Sequence, residues 1–192
     1  INVMTYDNCS PSDGFTFHNA ALYNLGDPRQ RTVEWRMRQF LAVIPARKLG
    51  LGIPLYGYVW RGGSGTSTGG VTLPAQTWTV APTMTAIDYR VLAVKRRDQL
   101  AGNVPYLSVA DPDPAKTAVV TYEDEMAIAQ KVLYATGHGL GGVMVYELSA
   151  DYFPGEAVKH PLLQAVRRAA GLGSSPGAEP PAPSKPKNPF RR

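Results

Sequence analysis

Apolar and polar residues alternate along three stretches of the chain, and each alternation predicts a β-strand. In residues 1–7, one side of the strand carries Ile1, Val3 and Thr5, and the other carries Asn2, Met4 and Tyr6. A period of two matches the alternation of side chains across a strand. The other two predicted strands span residues 48–60 and 141–151. In residues 48–55, leucine and isoleucine occupy one side of the strand, and glycine and proline occupy the other.

Three further stretches place apolar residues three and four positions apart, which predicts amphipathic helices. These helices span residues 30–45, 122–137 and 161–171. Thr121 is the predicted N-cap of the second helix, and Gly171 is the predicted end of the third.

Residues 61–120 do not continue the alternation of long strand and helix patterns. They begin with the glycine-rich segment RGGSGTSTGG and continue with short β-rich pieces. Turns are predicted at Gly102-Asn103 and Asp111-Pro112. The composition indicates a small α+β insertion between the second strand and the second helix.

Strand, helix, strand, insertion, helix, strand and helix form a βα alternation, which implies a parallel sheet. Three such units cannot close a barrel of this type, because it needs eight. The predicted fold class is therefore α/β: strands 6–8 of a TIM (β/α)8 barrel with a small α+β insertion. The predicted segments are barrel strands 6 and 7 with the intervening helix over residues 1–60, and the α+β insertion over residues 61–120. A helix, barrel strand 8 and a closing helix follow over residues 121–171, and a Pro-rich disordered tail or linker over residues 172–192.

Composition narrows the classes of function. The net charge of the 192-residue chain is +5, of which residues 171–192 contribute +3. The tail lacks interleaved aromatic residues and the body has no basic stripe, so no nucleic-acid partner is expected. No apolar run reaches the length of a membrane span. Cys9 is the only cysteine and the three histidines show no ligand spacing, so neither a metal nor a cofactor is expected.

Each predicted strand carries a tyrosine toward its carboxyl end: Tyr6, Tyr56 and Tyr146. In a (β/α)8 barrel the active site lies at the carboxyl ends of the strands, so these side chains are expected on one rim. Tyrosine is common in strands, and each could simply pack there. Three at matching strand ends favour a ring of aromatic side chains that stacks on sugars.

The segments INVMTYD, KLGLGIPLYGYVW and GLGGVMVYELSADYFPG resemble the sixth, seventh and eighth strand motifs of glycoside hydrolase family 18, the chitinases and chitinase-like proteins. FHNAALYN and the stretch from VPYL to VVTYED are also similar to that family. The resemblance covers about residues 1–170.

The resemblance implies a site for N-acetylglucosamine polymers, such as chitin, in which the acetamido oxygen of the substrate is the nucleophile. Tyr6 would hydrogen-bond the acetamido group. Met4 and Asp7 would line the sugar subsite at the cleavage point, and Tyr56 would contact the neighbouring rim. Tyr146 occupies the place of the tryptophan that forms the floor under that sugar. An extracellular location also follows from the resemblance.

Two departures from the family pattern bear on substrate and activity. Tyr58 stands where the family often has arginine, and the pattern Tyr-Gly-Tyr-x-Trp resembles relatives that act on peptidoglycan or spore-wall glycans. The sequence thus leaves chitin and peptidoglycan-type substrates open. No segment matches the Asp-Gly-x-Asp-x-Asp-x-Glu motif that carries the acid/base glutamate. We therefore assign no catalytic residue and expect this chain alone to be inactive.

Three interpretations remain. The favoured one is the C-terminal part of a secreted chitinase-type hydrolase, in a chain that starts at the sixth strand. The second is a non-catalytic chitinase-like glycan-binding or interaction protein. The third is an unrelated α/β domain that dimerises through open sheet edges, since unpaired edges template self-association.

Overall fold

The computed structural model describes four ranges of the chain: residues 1–29, 31–93, 99–101 and 104–173. The first of its two sheets is parallel, as the βα alternation predicts. Its strands are β1 (Asn2–Val3), β2 (Gly50–Pro54) and β8 (Gly142–Tyr146). They lie in the order β1-β2-β8, with β2 in the centre.

The second sheet is antiparallel. Its strands are β3 (Tyr56–Arg61), β4 (Thr83–Asp88), β5 (Gln99–Ala101), β6 (Val104–Val109) and β7 (Ala118–Thr121). They lie in the order β4-β3-β7-β6-β5. Of these strands, β4, β5 and β6 fall within residues 61–120, whereas β3 begins before this range and β7 ends after it.

The predicted single strand over 48–60 is wrong, because the chain changes sheets at Leu55. The Leu55 amide still donates to the Tyr146 carbonyl of the parallel sheet at 2.7 Å. Its carbonyl accepts from the Tyr89 amide instead, at 3.3 Å. Leu55 is thus the junction between β2, which ends at Pro54, and β3, which begins at Tyr56 in the other sheet.

The described ranges contain four α-helices: α1 (Val33–Leu41), α2 (Tyr89–Leu92), α3 (Glu125–Gly137) and α4 (Pro161–Ala169). The first, third and fourth lie within the predicted helices. The predicted cap of α3 is wrong. Thr121 is the last residue of β7, and the Asp124 carboxylate caps the helix by accepting from the Ala127 amide at 2.7 Å. None of the described helices has the length and apolar character needed to cross a membrane.

Two predicted strands are shorter than expected. The strand over 1–7 is reduced to β1, and the strand over 141–151 ends at Tyr146, after which Leu148–Asp151 forms a 3-10 turn. The predicted turn at Gly102-Asn103 and residues 174–192 of the predicted tail lie outside the described residues.

The two sides of β2 explain how it positions the strand ends. Leu51 and Ile53 are fully buried, in an apolar cluster that also contains residues of α1 and α3. On the other side, a Cβ at Gly52 would lie 2.6 Å from the Val3 carbonyl oxygen and 3.0 Å from the Tyr6 ring. Glycine at this position therefore leaves the space that the Tyr6 ring needs beside β2.

Candidate functional site

Three tyrosines meet at the carboxyl ends of the parallel strands. The Tyr6 and Tyr146 rings stack, with centroids 6.0 Å apart and an interplanar angle of 21°. Tyr56 meets both edge-on, at 6.1 Å from Tyr6 and 6.2 Å from Tyr146. Tyr6 is 5% exposed and Tyr146 is 51% exposed. The cluster thus has a buried base at Tyr6 and an open aromatic face at Tyr146.

Asp7 is held beside this cluster by two phenols. Its Oδ1 accepts from the Tyr56 hydroxyl at 2.5 Å and from the Tyr58 hydroxyl at 2.8 Å. The backbone of Asp7 is left-handed, with φ of +56°. Asn19 supports this conformation: its Oδ1 accepts from the Asp7 amide at 2.8 Å, and its Nδ2 donates to the Tyr56 carbonyl at 3.3 Å. The carboxylate is therefore fixed from both the side chain and the backbone.

Sequence reasoning missed the roles of Tyr58 and Asn19. Tyr58 lies two residues after Tyr56 in β3, so the strand period alone places the two phenols on one face. Asn19 lies in an irregular segment 12 residues from Asp7 in sequence. No periodicity could have identified it, although it belongs to the segment FHNAALYN.

The phenols of the cluster are neutral hydrogen-bond donors. Burial, together with the charge of Asp7 and the neighbouring Tyr146, raises the pKa of Tyr6. The pKa values of Tyr56 and Tyr58 are raised by burial first and then by their hydrogen bonds to Asp7. The Tyr6 hydroxyl makes no hydrogen bond to any described residue, so it can donate to a ligand.

Of the five residues predicted to bind substrate, the structure brings together Tyr6, Asp7, Tyr56 and Tyr146. Met4 lies apart: its side chain is 62% exposed, and its carbonyl accepts from Arg36 Nη1 at 3.3 Å. Among the described residues, no hydrogen bond or ring contact joins Met4 to the three tyrosines. Met4 directly follows β1.

A cavity of about 280 Å³ opens next to the rings. Its lining residues combine aromatic rings with carboxylates: Tyr56, Tyr58, Ala86, Asp88, Tyr146, Glu147 and Ala150. A larger cavity of about 510 Å³ lies along the second sheet, where mainly aliphatic side chains line it. We place the candidate site at the smaller cavity, because a sugar needs polar groups that fix its orientation as well as an apolar face.

The arrangement can bind and orient a polar, ring-shaped ligand. The Tyr146 face offers apolar contact, Asp7 offers a fixed acceptor, and the Tyr6 hydroxyl offers a donor. Within the described ranges, no group of three His, Cys, Asp or Glu side chains is placed to hold a metal ion.

Residues 1–151 match the sequence profile of Glycosyl hydrolases family 18. The chain is 33% identical to chitotriosidase-1 of Mus musculus over 91% of its own length and 39% of that protein. It superposes on the Ostrinia furnacalis Group IV chitinase solved in complex with allosamidin, with a TM-score of 0.72, 23% identity and coverage of 91% of this chain and 50% of that one. It also superposes on a glycoside hydrolase family 18 N-acetylglucosaminidase from Paenibacillus barengoltzii. That superposition has a TM-score of 0.67 and 25% identity, and it covers 88% of this chain and 48% of the enzyme. The chain thus spans half or less of the length of each of these proteins.

Proposed function

The chain belongs to glycosyl hydrolases family 18, and on that premise we propose that its tyrosine rim is part of a binding site for an N-acetylglucosamine polymer of the chitin type. The observation that supports this most strongly is the convergence of the adjacent pair Tyr6 and Asp7 with Tyr56 and Tyr146, from three separate segments of the chain. An aromatic face beside a fixed carboxylate suits a ring with one apolar side and polar substituents.

We also propose how the fold fits the whole protein. β1, β2 and β8 correspond to the sixth, seventh and eighth strands of a TIM barrel, and the antiparallel sheet is the insertion after the seventh. The similarity to family 18 structures supports an α/β fold derived from that barrel. The outer edges of β1 and β8 pair with no other described strand. We expect these edges to drive self-association of the isolated chain, because unpaired backbone groups template further pairing.

In a complete catalytic domain this rim would contribute binding and orientation. Family 18 enzymes use the acetamido oxygen of the substrate as the nucleophile. Tyr6 would donate a hydrogen bond to that acetamido group, and Tyr146 would support the sugar ring from below. Asp7 would accept a hydrogen bond from the sugar, Tyr56 would border the adjoining rim, and Met4 would contribute an apolar contact at the edge.

Proton donation to the leaving oxygen would come from outside these residues. The sequence contains no Asp-Gly-x-Asp-x-Asp-x-Glu motif. A positioned general acid contributes about 10²–10⁴ to the rate. The chain alone should therefore bind glycan without hydrolysing it.

The alternative function, which also fits a sequence without this motif, is that of a non-catalytic chitinase-like protein that binds glycans or takes part in other interactions. An in-frame Asp-Gly-x-Asp-x-Asp-x-Glu motif encoded upstream would decide for the enzyme. An extracellular location fits both functions, since chitin-type polymers lie outside cells.

Retention of the purified chain on insoluble chitin tests the binding function. Tyr146→Ala should release the chain, because it removes the open aromatic face. Tyr23→Ala is the matched control, since Tyr23 is 50% exposed and packs edge-on against Tyr134, away from the rim. Equal retention of Tyr146→Ala and Tyr23→Ala would refute the assignment of the rim. Turnover of a chitobioside reporter by the chain alone would refute its predicted inactivity.

A further inference from the structure

The larger cavity, of about 510 Å³, lies against one face of the second sheet. Cross-strand pairing places Val59 of β3, Val120 of β7 and Leu107 of β6 side by side in one row, and all three line the cavity. Successive side chains of a strand point to opposite faces, so Trp60 lies on the other face. It is fully buried there in a separate apolar cluster. The sheet is therefore packed on one face and borders the cavity on the other.

The cavity has a buried floor and an open mouth. Leu92 of α2 and Ala118 of β7 line it and are buried, whereas Val91 of α2 and Val109 of β6 are half-exposed. Arg61, Ala118 and Val109 are paired across β3, β7 and β6, and this row borders solvent at both ends. Among the described residues that line the cavity, none is aromatic. Aliphatic walls of this kind suit a hydrocarbon chain, and the volume is within the range of about 300–1,000 Å³ that holds small molecules.

Arg61 brings one positive charge to this apolar face. It follows Val59 by two residues in β3, so both side chains lie on the same face. No ion pair or side-chain hydrogen bond joins the Arg61 guanidinium to another described residue. The carboxylates that follow β6 are engaged locally: Asp113 pairs with Lys116 at 3.5 Å, and Asp111 accepts from the Asp113 amide at 2.8 Å. A guanidinium is always charged and offers paired donors that match a carboxylate.

This cavity is separate from the tyrosine rim. The smaller cavity beside the rim is lined by Tyr58 of β3 and Ala86 of β4, whereas the larger one is lined by Val59 and Ile87 of the same two strands. Because neighbouring residues of a strand point to opposite faces, the two cavities lie on opposite sides of the sheet. A ligand can therefore occupy one cavity without blocking the other.

We propose that the larger cavity is a binding site for a small anionic amphiphile, a straight-chain carboxylate. Its hydrocarbon chain packs on Val59, Leu107 and Val120, and its head group pairs with Arg61. An aliphatic wall with one unpaired cation beside its mouth is complementary to a molecule with an apolar body and a single negative charge. This inference goes beyond the proposed glycan function and does not depend on it, since none of the three rim tyrosines lines this cavity.

Calorimetric titrations of the full chain with octanoate, 1-octanol and octylammonium test the inference. The three ligands share a hydrocarbon chain and differ in the charge of the head group. Octanoate should bind about threefold to tenfold more tightly than octanol, because hydrogen bonds from a guanidinium to a carboxylate are charge-assisted. Octylammonium should bind most weakly, and added salt should narrow these differences. Octanoate should also bind at least about tenfold more tightly than hexanoate, since each buried methylene group is worth about a fourfold gain.

Two substitutions test the two parts of the site separately. Arg61→Met should reduce the affinity for octanoate to that for octanol and leave octanol binding unchanged. Arg168→Met, at an exposed arginine of α4, is the matched control and should change neither affinity. Val91→Glu places a negative charge in the half-exposed wall and should weaken octanoate binding at least about tenfold. Val43→Glu is its control, because Val43 is 79% exposed just beyond α1. If Val91→Glu fails to fold, the comparison of Arg61→Met with Arg168→Met still decides.

Several results would overturn the inference. These are failure of the native chain to bind octanoate, equal affinity for octanoate and octanol, and equal affinities of Arg61→Met and Arg168→Met for octanoate. Loss of octanoate binding in Tyr146→Ala would also overturn it, because the ligand would then lie at the tyrosine rim. None of these results bears on retention of the chain by chitin, so the proposed function stands or falls by its own test.

Discussion

Replacing Lys131 by methionine should destabilise the fold strongly, because it leaves a buried carboxylate without its partner. Lys131 Nζ lies 2.5 Å from Glu123 Oε2, and both side chains are only 1% exposed. The pair joins α3 to the segment between β7 and α3. Lys131→Met keeps most of the side-chain volume and removes only the charge.

The expected cost follows from the burial of the pair. Removing one partner of a buried ion pair costs about 3–5 kcal/mol, because the remaining charge is desolvated and unpaired. For a domain of this size, each kcal/mol lowers the melting temperature by about 2–4 °C. We therefore expect a fall of roughly 6–20 °C. Removing both charges, in Glu123→Gln with Lys131→Met, should restore most of the stability.

The cost should also depend on pH. Burial raises the pKa of Glu123 from its ordinary 4.5 to about 7, against the opposing effect of Lys131. A carboxyl whose pKa is raised on folding binds more protons in the folded state than in the unfolded state, so its contribution to stability falls as pH rises from 4.5. Without Lys131 the carboxyl becomes harder to ionise. The deficit of Lys131→Met should therefore shrink as the pH is lowered from 8 toward about 5.

Urea unfolding followed by tryptophan fluorescence at several pH values measures these effects. Lys116→Met is the matched control. Lys116 pairs with Asp113 at 3.5 Å on the surface, where such a pair contributes less than about 1 kcal/mol. If Lys131→Met costs no more than Lys116→Met, or if the double variant is as unstable as the single one, the reasoning is wrong.

Two further predictions concern His18 and Gly52. Burial lowers the pKa of His18 to about 3. Because the unfolded state then binds a proton that the folded state does not, the native chain should lose about 1.4 kcal/mol of unfolding free energy per pH unit below 6.5, relative to His18→Phe. Unfolding free energies of the two proteins that change in parallel with pH would contradict this. Gly52→Ala should destabilise the fold by about 1–3 kcal/mol and weaken glycan binding, because the new methyl group meets the Tyr6 ring. Gly137→Ala is the control, since the space around that residue is open, and it should change neither stability nor binding. Equal melting temperatures for the two variants would contradict the account.

The sequence predicted the parallel arrangement because strands and helices alternate along the chain. It predicted the meeting of the tyrosines because strand periodicity places them near matching strand ends. Alternation places Tyr6 and Gly52 on facing sides of neighbouring strands, and the structure has the ring within 3.0 Å of the position that a Cβ would take. The common direction of the strands then brings their carboxyl ends to one rim.

Other features depended on contacts that periodicity does not encode. The change of sheets at Leu55 occurs inside an uninterrupted alternation, and only its hydrogen bonds to Tyr146 and Tyr89 reveal it. Thr121 and Asp124 are both good N-cap residues. Only the pairing of β7 with β3 and β6 shows that the first is still in a strand.

The most direct test of the central claim is an experimental structure of the chain with an N-acetylglucosamine oligomer bound. The account predicts one sugar ring against the exposed face of Tyr146, an acetamido group within hydrogen-bond distance of the Tyr6 hydroxyl, and a sugar hydroxyl or amide donating to Asp7 Oδ2. An oligomer bound elsewhere on the chain, with the rim unoccupied, would contradict it.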